Sequence, residues 1–182
     1  MDRNKLRMMV EGGIMIGLAT ALSMIRLFKM PQGGSVTAGS MIPILLFAMR
    51  WGTGRGLVVG TLYGLIQFIM DPFMVSPIQL LLDYPLAFGS LGLAGIARGH
   101  LNNAKTRMGW VLGASFLGML GRAVFHVLSG VVFFSEYAGT MNPWFYAIQY
   151  NGSYMGVELV ISTILLYLIW NPIQKAAPVP NI

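Results

Sequence analysis

Cysteine is absent from the 182 residues. Disulfides and thiolate metal sites are therefore excluded, and cysteine usage says nothing of redox compartment. Charge is scarce too: 12 Lys and Arg, 6 Asp and Glu, and 2 His. No secretory-type cleavage pattern stands at the N-terminus. No GxxxxGK followed by Ser or Thr occurs, so the phosphate-cradling loop of an ATPase is missing. With one intramembrane His and no Cys, the chain shows no nucleophile or metal constellation for an intramembrane enzyme. The net charge of +6 does not indicate nucleic acid, because the basic residues sit between apolar runs instead of clustering with aromatics.

Apolar sequence is what remains. Hydrophobic residues make up 55% of the chain and mean hydropathy is +0.68. These values specify an integral membrane protein. A span needs roughly 20 apolar residues, and 182 residues then accommodate six helices with short connections in one membrane domain, 1–182. Hydropathy places the helices at about 8–28, 41–52, 56–70, 77–98, 108–134 and 143–170. Lys29–Ser40, KMPQGGSVTAGS, is too rich in Gly and Ser for a lipid-exposed helix and reads as an external loop that can fold over a cavity. The tail after Pro172 reads as disordered.

Nine of the twelve Lys and Arg fall in segments on one side of this topology: Arg3, Lys5, Arg7, Arg50, Arg55, Arg98, Lys105, Arg107 and Lys175. By the positive-inside rule that side is cytoplasmic, and both termini are expected there. Trp51, Trp110 and Trp170 at cytoplasmic helix ends and Trp144 at an external one form an interfacial belt. In the first helix Gly13 and Gly17 lie four apart on one face, with Ala21 a turn further. Such a stripe lets another helix approach closely, either within this chain or from another.

Four ionisable residues lie inside the expected spans: Asp83, Arg122, His126 and Glu158. Ionisable groups are expensive in hydrocarbon and mark function by default. At about 1.5 Å per residue, Asp83, His126 and Glu158 lie on the order of 10 Å below the external boundary, with Arg122 about one turn deeper. An outer layer of Asp83, Tyr84, His126 and Asn151 then faces a cavity open to the outside. A carboxylate, an amide, an imidazole and flanking aromatics (Tyr84, Phe133, Phe134, Tyr146) suit a small heteroaromatic cation. Arg122 reaches outward to Glu158 as a structural ion pair. At 100° per residue Phe133 lies nearer His126 around the helix than Phe134 does.

These stretches resemble a known family, the thiamine-specific substrate-binding subunits (S components) of energy-coupling-factor vitamin transporters. The resemblance runs from the glycines of the first helix through MPQGGSVTAGSMIPILLFAMRWG and LLLDYPLAFGSLGLAG to FHVLSGVVFFSEYA and YAIQYNG. It implies thiamine as ligand, with no cofactor and no covalent chemistry. The implied contacts are Asp83, Tyr84, His126, Gly130, Phe134, Tyr146 and Asn151, with Phe73 in the loop before the fourth helix. Two positions depart from the family pattern: Asp83 where Glu is usual and Phe134 where Trp is frequent. The resemblance also implies that the Gly13 and Gly17 face docks on a membrane-embedded coupling protein driven by two ATPase subunits, at the plasma membrane of a prokaryotic cell.

Overall fold

A computed structural model describes residues 2–180. Six helices and one small hairpin make up the bundle. Helix α1 (Arg3–Met24) opens on Asp2, whose side chain accepts a hydrogen bond from the Asn4 amide. It stops four residues before the expected end at Phe28. The chain instead forms strand β1 (Arg26–Lys29), paired antiparallel with β2 (Ser35–Thr37). Pro31 disfavours helix at the preceding residue. Gly33 and Gly34, at φ +86° and +84°, make the reversal that residues with a Cβ rarely adopt. Pairing also satisfies backbone groups that an irregular loop would leave open.

Helix α2 (Ile42–Trp51) lies at the centre, with all ten residues buried. Apart from Arg50 in its last turn its sequence is apolar on every side, the pattern of a helix enclosed by others. At ten residues and 1.5 Å per residue it is about 15 Å long, half the hydrocarbon thickness. Its Arg50 is not at a solvated face as expected. It is 3% exposed, paired with Glu11 of α1 and donating to the carbonyl of Ala177.

Helix α3 (Thr53–Met70) and helix α4 (Pro77–His100) meet backbone to backbone. A Cβ on Gly60 or Gly64 of α3 would overlap the carbonyl of Phe88 or Tyr84, and one on Gly92 or Gly95 would overlap the Leu57 or Thr53 amide. The sequence of α4 explains its irregular course. Pro77 opens it behind the Ser76 cap, and Pro85, lacking an N–H, falls within a wide π turn at Leu82–Leu86. From Ser90 to His100 it winds as a 3-10 helix. Residues three apart eclipse in that winding, which aligns Gly92, Gly95 and Arg98.

Helix α5 (Arg107–Phe133) leads through a turn at Ser135–Ala138 to helix α6 (Pro143–Ala176). Asn142 caps α6 by accepting from the amides of Trp144 and Phe145. Contrary to the expected disordered tail, α6 continues past Pro172 to Ala176. Helices α1, α4, α5 and α6 are each long and apolar enough to cross a membrane. The protein is a six-helix multi-pass membrane bundle. Among the described residues nothing packs against the face of Gly13 and Gly17, since a Cβ at either meets no atom within 4 Å. The inward glycine of α1 is its neighbour Gly12, against Phe47 and Val59.

Candidate functional site

One end of the bundle holds a cavity of about 920 Å³, counting its open mouth. The π turn of α4 brings Asp83 and Tyr84 to its wall, α5 supplies His126 and Gly130, the residue just past its end supplies Phe134, and α6 supplies Tyr146 and Asn151. Phe73 lines it from the α3–α4 connection and Gln32 from the hairpin. All eight residues expected at a ligand thus border one space. Phe133, which helical spacing favours, does not. The helix ends at Phe133, and Phe134 sits beyond it at φ −126°. The 100° progression therefore does not extend to Phe134, whose ring turns to lie parallel to Phe73, with centroids 5.9 Å apart and planes at 18°.

Asp83 is held by three groups. His126 Nδ1 lies 2.9 Å from its Oδ1, while Ser129 Oγ and Gln79 Nε2 donate to its Oδ2 at 2.8 and 2.6 Å. Tyr84 points its hydroxyl at the loop, donating to the Asp71 carbonyl and accepting from the Phe73 amide. Asn151 donates to the carbonyls of Ala147 and His126 and accepts from Tyr154. Gly130 is a close approach: a Cβ there would stand 3.0 Å from that of Ala147 and 3.3 Å from Asn151 Nδ2. Its missing side chain keeps α5 and α6 close enough for Asn151 to reach the His126 carbonyl.

Arg122 borders the inner end of the same cavity. Its Nη1 donates to Glu158 Oε2 at 3.3 Å, and its guanidinium lies 4.5 Å above the Phe88 ring. Glu158, 1% exposed, also accepts from the amide and the hydroxyl of Thr37 at 2.7 and 2.6 Å. Arg122 is thus both an ion-pair partner and part of the cavity wall, where the sequence reading gave it only the first place.

The hairpin covers the mouth and is tied to both sides. Towards α6, the Tyr150 hydroxyl accepts from the Gln32 amide and donates to the Gly33 carbonyl, Gly34 packs on the Tyr154 ring, and Thr37 binds Glu158. Tyr150, Tyr154 and Glu158 are spaced by four, one stripe of a helix. Towards α3, Arg26 and Lys29 pair with Asp71 at 2.8 and 3.0 Å. Burial raises the Asp71 pKa, but the Lys29 hydrogen bond and the charges of Arg26 and Lys29 outweigh it and hold the group below its ordinary value.

Sequence reasoning missed Gln79, Ser129, Tyr150 and Tyr154. Three had a local signal: Gln79 precedes Asp83 by four residues, Ser129 follows His126 by three and Tyr154 follows Asn151 by three, so each shares its neighbour's helix face. Among the described residues, no three His, Cys, Asp or Glu gather as a metal site.

The chain resembles known proteins over nearly its whole length. Residues 9–177 match the family described as Thiamine transporter protein (Thia_YuaJ). The chain is 40% identical over 172 residues to thiamine transporter ThiT of Bacillus subtilis, covering 89% of each chain. It is 28% identical over 193 residues to ThiT of Lacticaseibacillus paracasei, covering 97% of this chain and 91% of that one. A solved structure of ThiT from Listeria monocytogenes superimposes with a TM-score of 0.85 at 25% identity, covering 95% of this chain and 98% of the other. The Bacillus subtilis and Lacticaseibacillus paracasei relatives are named as transporters. With the family matched across residues 9–177 and a relative at 40% identity, the chain belongs to the thiamine transporter protein family.

Proposed function

We propose that the protein is the thiamine-capturing subunit of an ATP-driven vitamin importer in a prokaryotic cell membrane. One observation carries the reading: an aromatic-walled cavity in which Arg26 is paired with Asp71 and Arg122 with Glu158 behind the wall, leaving the Asp83 carboxylate, held by His126, as the remaining acid of the lining. Thiamine joins a flat aminopyrimidine to a cationic thiazolium ring, and a cavity that offers a carboxylate and facing aromatic rings is complementary to it. The names of the relatives support the same ligand.

In this reading the cavity opens outside the cell and the end bearing Arg55, Arg98 and Arg107 is cytoplasmic, as the positive-inside rule supports. Asp83, His126 and Asn151 engage the pyrimidine end, Phe73, Phe134 and Tyr146 flank the rings, and Tyr84 holds the loop that carries Phe73. The chain has no ATPase motif, so transport takes its energy from partners: a membrane-embedded coupling protein and two ATPase subunits. The open Gly13 and Gly17 face of α1 docks on the coupling protein. The ligand is bound and released without covalent change.

Binding is measured by quenching of intrinsic fluorescence when thiamine is added to the purified protein. Asp83→Ala is expected to lower affinity roughly a hundredfold, the scale of a lost charge-assisted contact. Unchanged affinity in a folded Asp83→Ala protein rules out the charge argument. Mass spectrometry of the ligand that co-purifies with the wild type identifies thiamine or replaces it.

A further inference from the structure

The Asp83 carboxylate is the centre of a wider arrangement than a lone counter-ion. On α4, Gln79 stands one turn before it and is fully enclosed, at 0% exposure. Its Nε2 faces two acceptors, Asp83 Oδ2 at 2.6 Å and the Phe73 carbonyl at 3.3 Å, while its Oε1 accepts from the Val75 amide at 3.1 Å. These partners determine which way the amide points, since the flipped form would set oxygen against oxygen. On α5, Ser129, 1% exposed, gives its hydroxyl proton to the same Oδ2 at 2.8 Å. With Oδ2 occupied twice, Oδ1 is turned to His126 Nδ1 at 2.9 Å.

An ionised carboxylate carries no proton, so the hydrogen in that contact belongs to Nδ1. A neutral imidazole protonated at Nδ1 has its lone pair at Nε2. His126 Nε2 is buried and has no hydrogen-bond partner among the described residues, although its ring borders the cavity. A buried acceptor without a donor is costly, and a ligand N–H relieves that cost.

We propose that Gln79 and Ser129 are positioning residues of the ligand site. By fixing the Asp83 carboxylate they hold His126 in the Nδ1–H form, so that Nε2 selects a ligand presenting an amino N–H on a flat heteroaromatic ring. The inference rests on the cavity being the ligand site and adds a rule of selection to it. A group that offers an oxygen acceptor at that point meets the Nε2 lone pair and is rejected. The shorter Asp at 83 fits the same arrangement, because Gln79 and Ser129 come to the carboxylate from two helices.

The test reads the tautomer directly. The chain has two histidines, His100 and His126, so nitrogen NMR of 15N-histidine-labelled full-length protein, with His100→Gln for assignment, resolves the state of each ring nitrogen. The ligand-free wild type is expected to show Nδ1–H at neutral pH. Ser129→Ala and Gln79→Leu are expected to add the Nε2–H form, while Ser129→Thr, which keeps the hydroxyl, retains the wild-type signal. In parallel, the ratio of affinities for thiamine and its 4-oxo analogue is measured. Wild type is expected to favour the amino form at least tenfold, about one hydrogen bond, and either variant to lose most of that preference. An Nε2–H or imidazolium signal in the wild type overturns the proposal. So does a folded Ser129→Ala or Gln79→Leu protein that keeps both the Nδ1–H signal and the preference. If the protein binds neither compound but shows the expected tautomers, the ligand assignment fails and the positioning roles stand.

Discussion

Glu158 is the residue on which three parts of the chain converge. It receives two hydrogen bonds from Thr37 of the hairpin and the ion pair from Arg122 of α5. Helical rise alone puts Arg122 and Glu158 at neighbouring depths, because both sit on regular helices. Thr37 was not legible, since nothing local in KMPQGGSVTAGS says that the segment folds back by 121 residues onto α6. Breaking a buried pair strands a charge and costs about 3–5 kcal/mol. Glu158→Leu is therefore expected to lower the thermal unfolding midpoint sharply, and Arg122→Met in the same chain to recover much of the loss. Two single-variant losses that simply add would show that the residues do not interact.

Asp71 is the second charged tie of the hairpin, exposed enough for solvent to weaken it. Its carboxyl titrates below the ordinary value in the folded protein. The stability it adds is therefore complete above the ordinary carboxylate pKa of about 4 and disappears as pH falls through the lower folded value. Protection of the hairpin amides, the ratio of intrinsic to observed hydrogen-exchange rate, is expected to fall over that acid window in the wild type, and Asp71→Asn to be weakly protected throughout. A wild-type protection factor indifferent to pH there means that the tie does not hold the hairpin.

At the scale of elements, hydropathy finds helices well and their winding poorly. The expected and observed starts of α4 both fall at Pro77, where a proline completes a capped first turn. What hydropathy does not reveal is that α4 changes winding three times along its length. The signals were Pro85 and the three-residue spacing of Gly89, Gly92 and Gly95, a period that belongs to the 3-10 helix and not to the α-helix. The same period sets the α3–α4 contact, which predicts two opposite outcomes. Gly92→Ala forces a methyl into the backbone of Gly56 and Leu57 and is expected to destabilise by at least 1–3 kcal/mol, roughly the cost of overpacking. Gly13→Ala, in open space, is expected to leave the melting midpoint within a degree or two, about the effect of a surface change. Thermal unfolding of the two proteins side by side checks both. The hairpin was illegible for a related reason: a seven-residue pairing has too little periodicity to be told from a loop.

For the whole molecule, composition and hydropathy were enough to give a six-helix membrane bundle, because lipid leaves the chain few alternatives. The central position of α2 came from its apolarity on all sides, a pattern that short length made easy to take for a shallow span. In the proposed reading the outward face of α1 serves transport and not capture. Gly13→Leu and Gly17→Leu are expected to keep thiamine affinity within about twofold, as for changes far from a site. In cells supplying the coupling module they are expected to abolish thiamine uptake. A parallel loss of binding would place the face inside the folded bundle instead.

The clasp at Arg50 has a mechanical consequence. Glu11 of α1, the end of α2 and the carbonyl of Ala177 are fastened together there, at the far end of α6 from Tyr146. Helix α6, at 34 residues, is about 51 Å long by its rise of 1.5 Å per residue. Measured from the clasp, a tilt of about 5° in α6 would amount to about 4 Å at its Pro143 end, roughly the thickness of one aromatic ring. Tyr150 stands about 40 Å along the helix from the clasp, so the same tilt amounts to about 3.5 Å there, more than its hydrogen bonds to the hairpin at 2.9 and 3.0 Å could span.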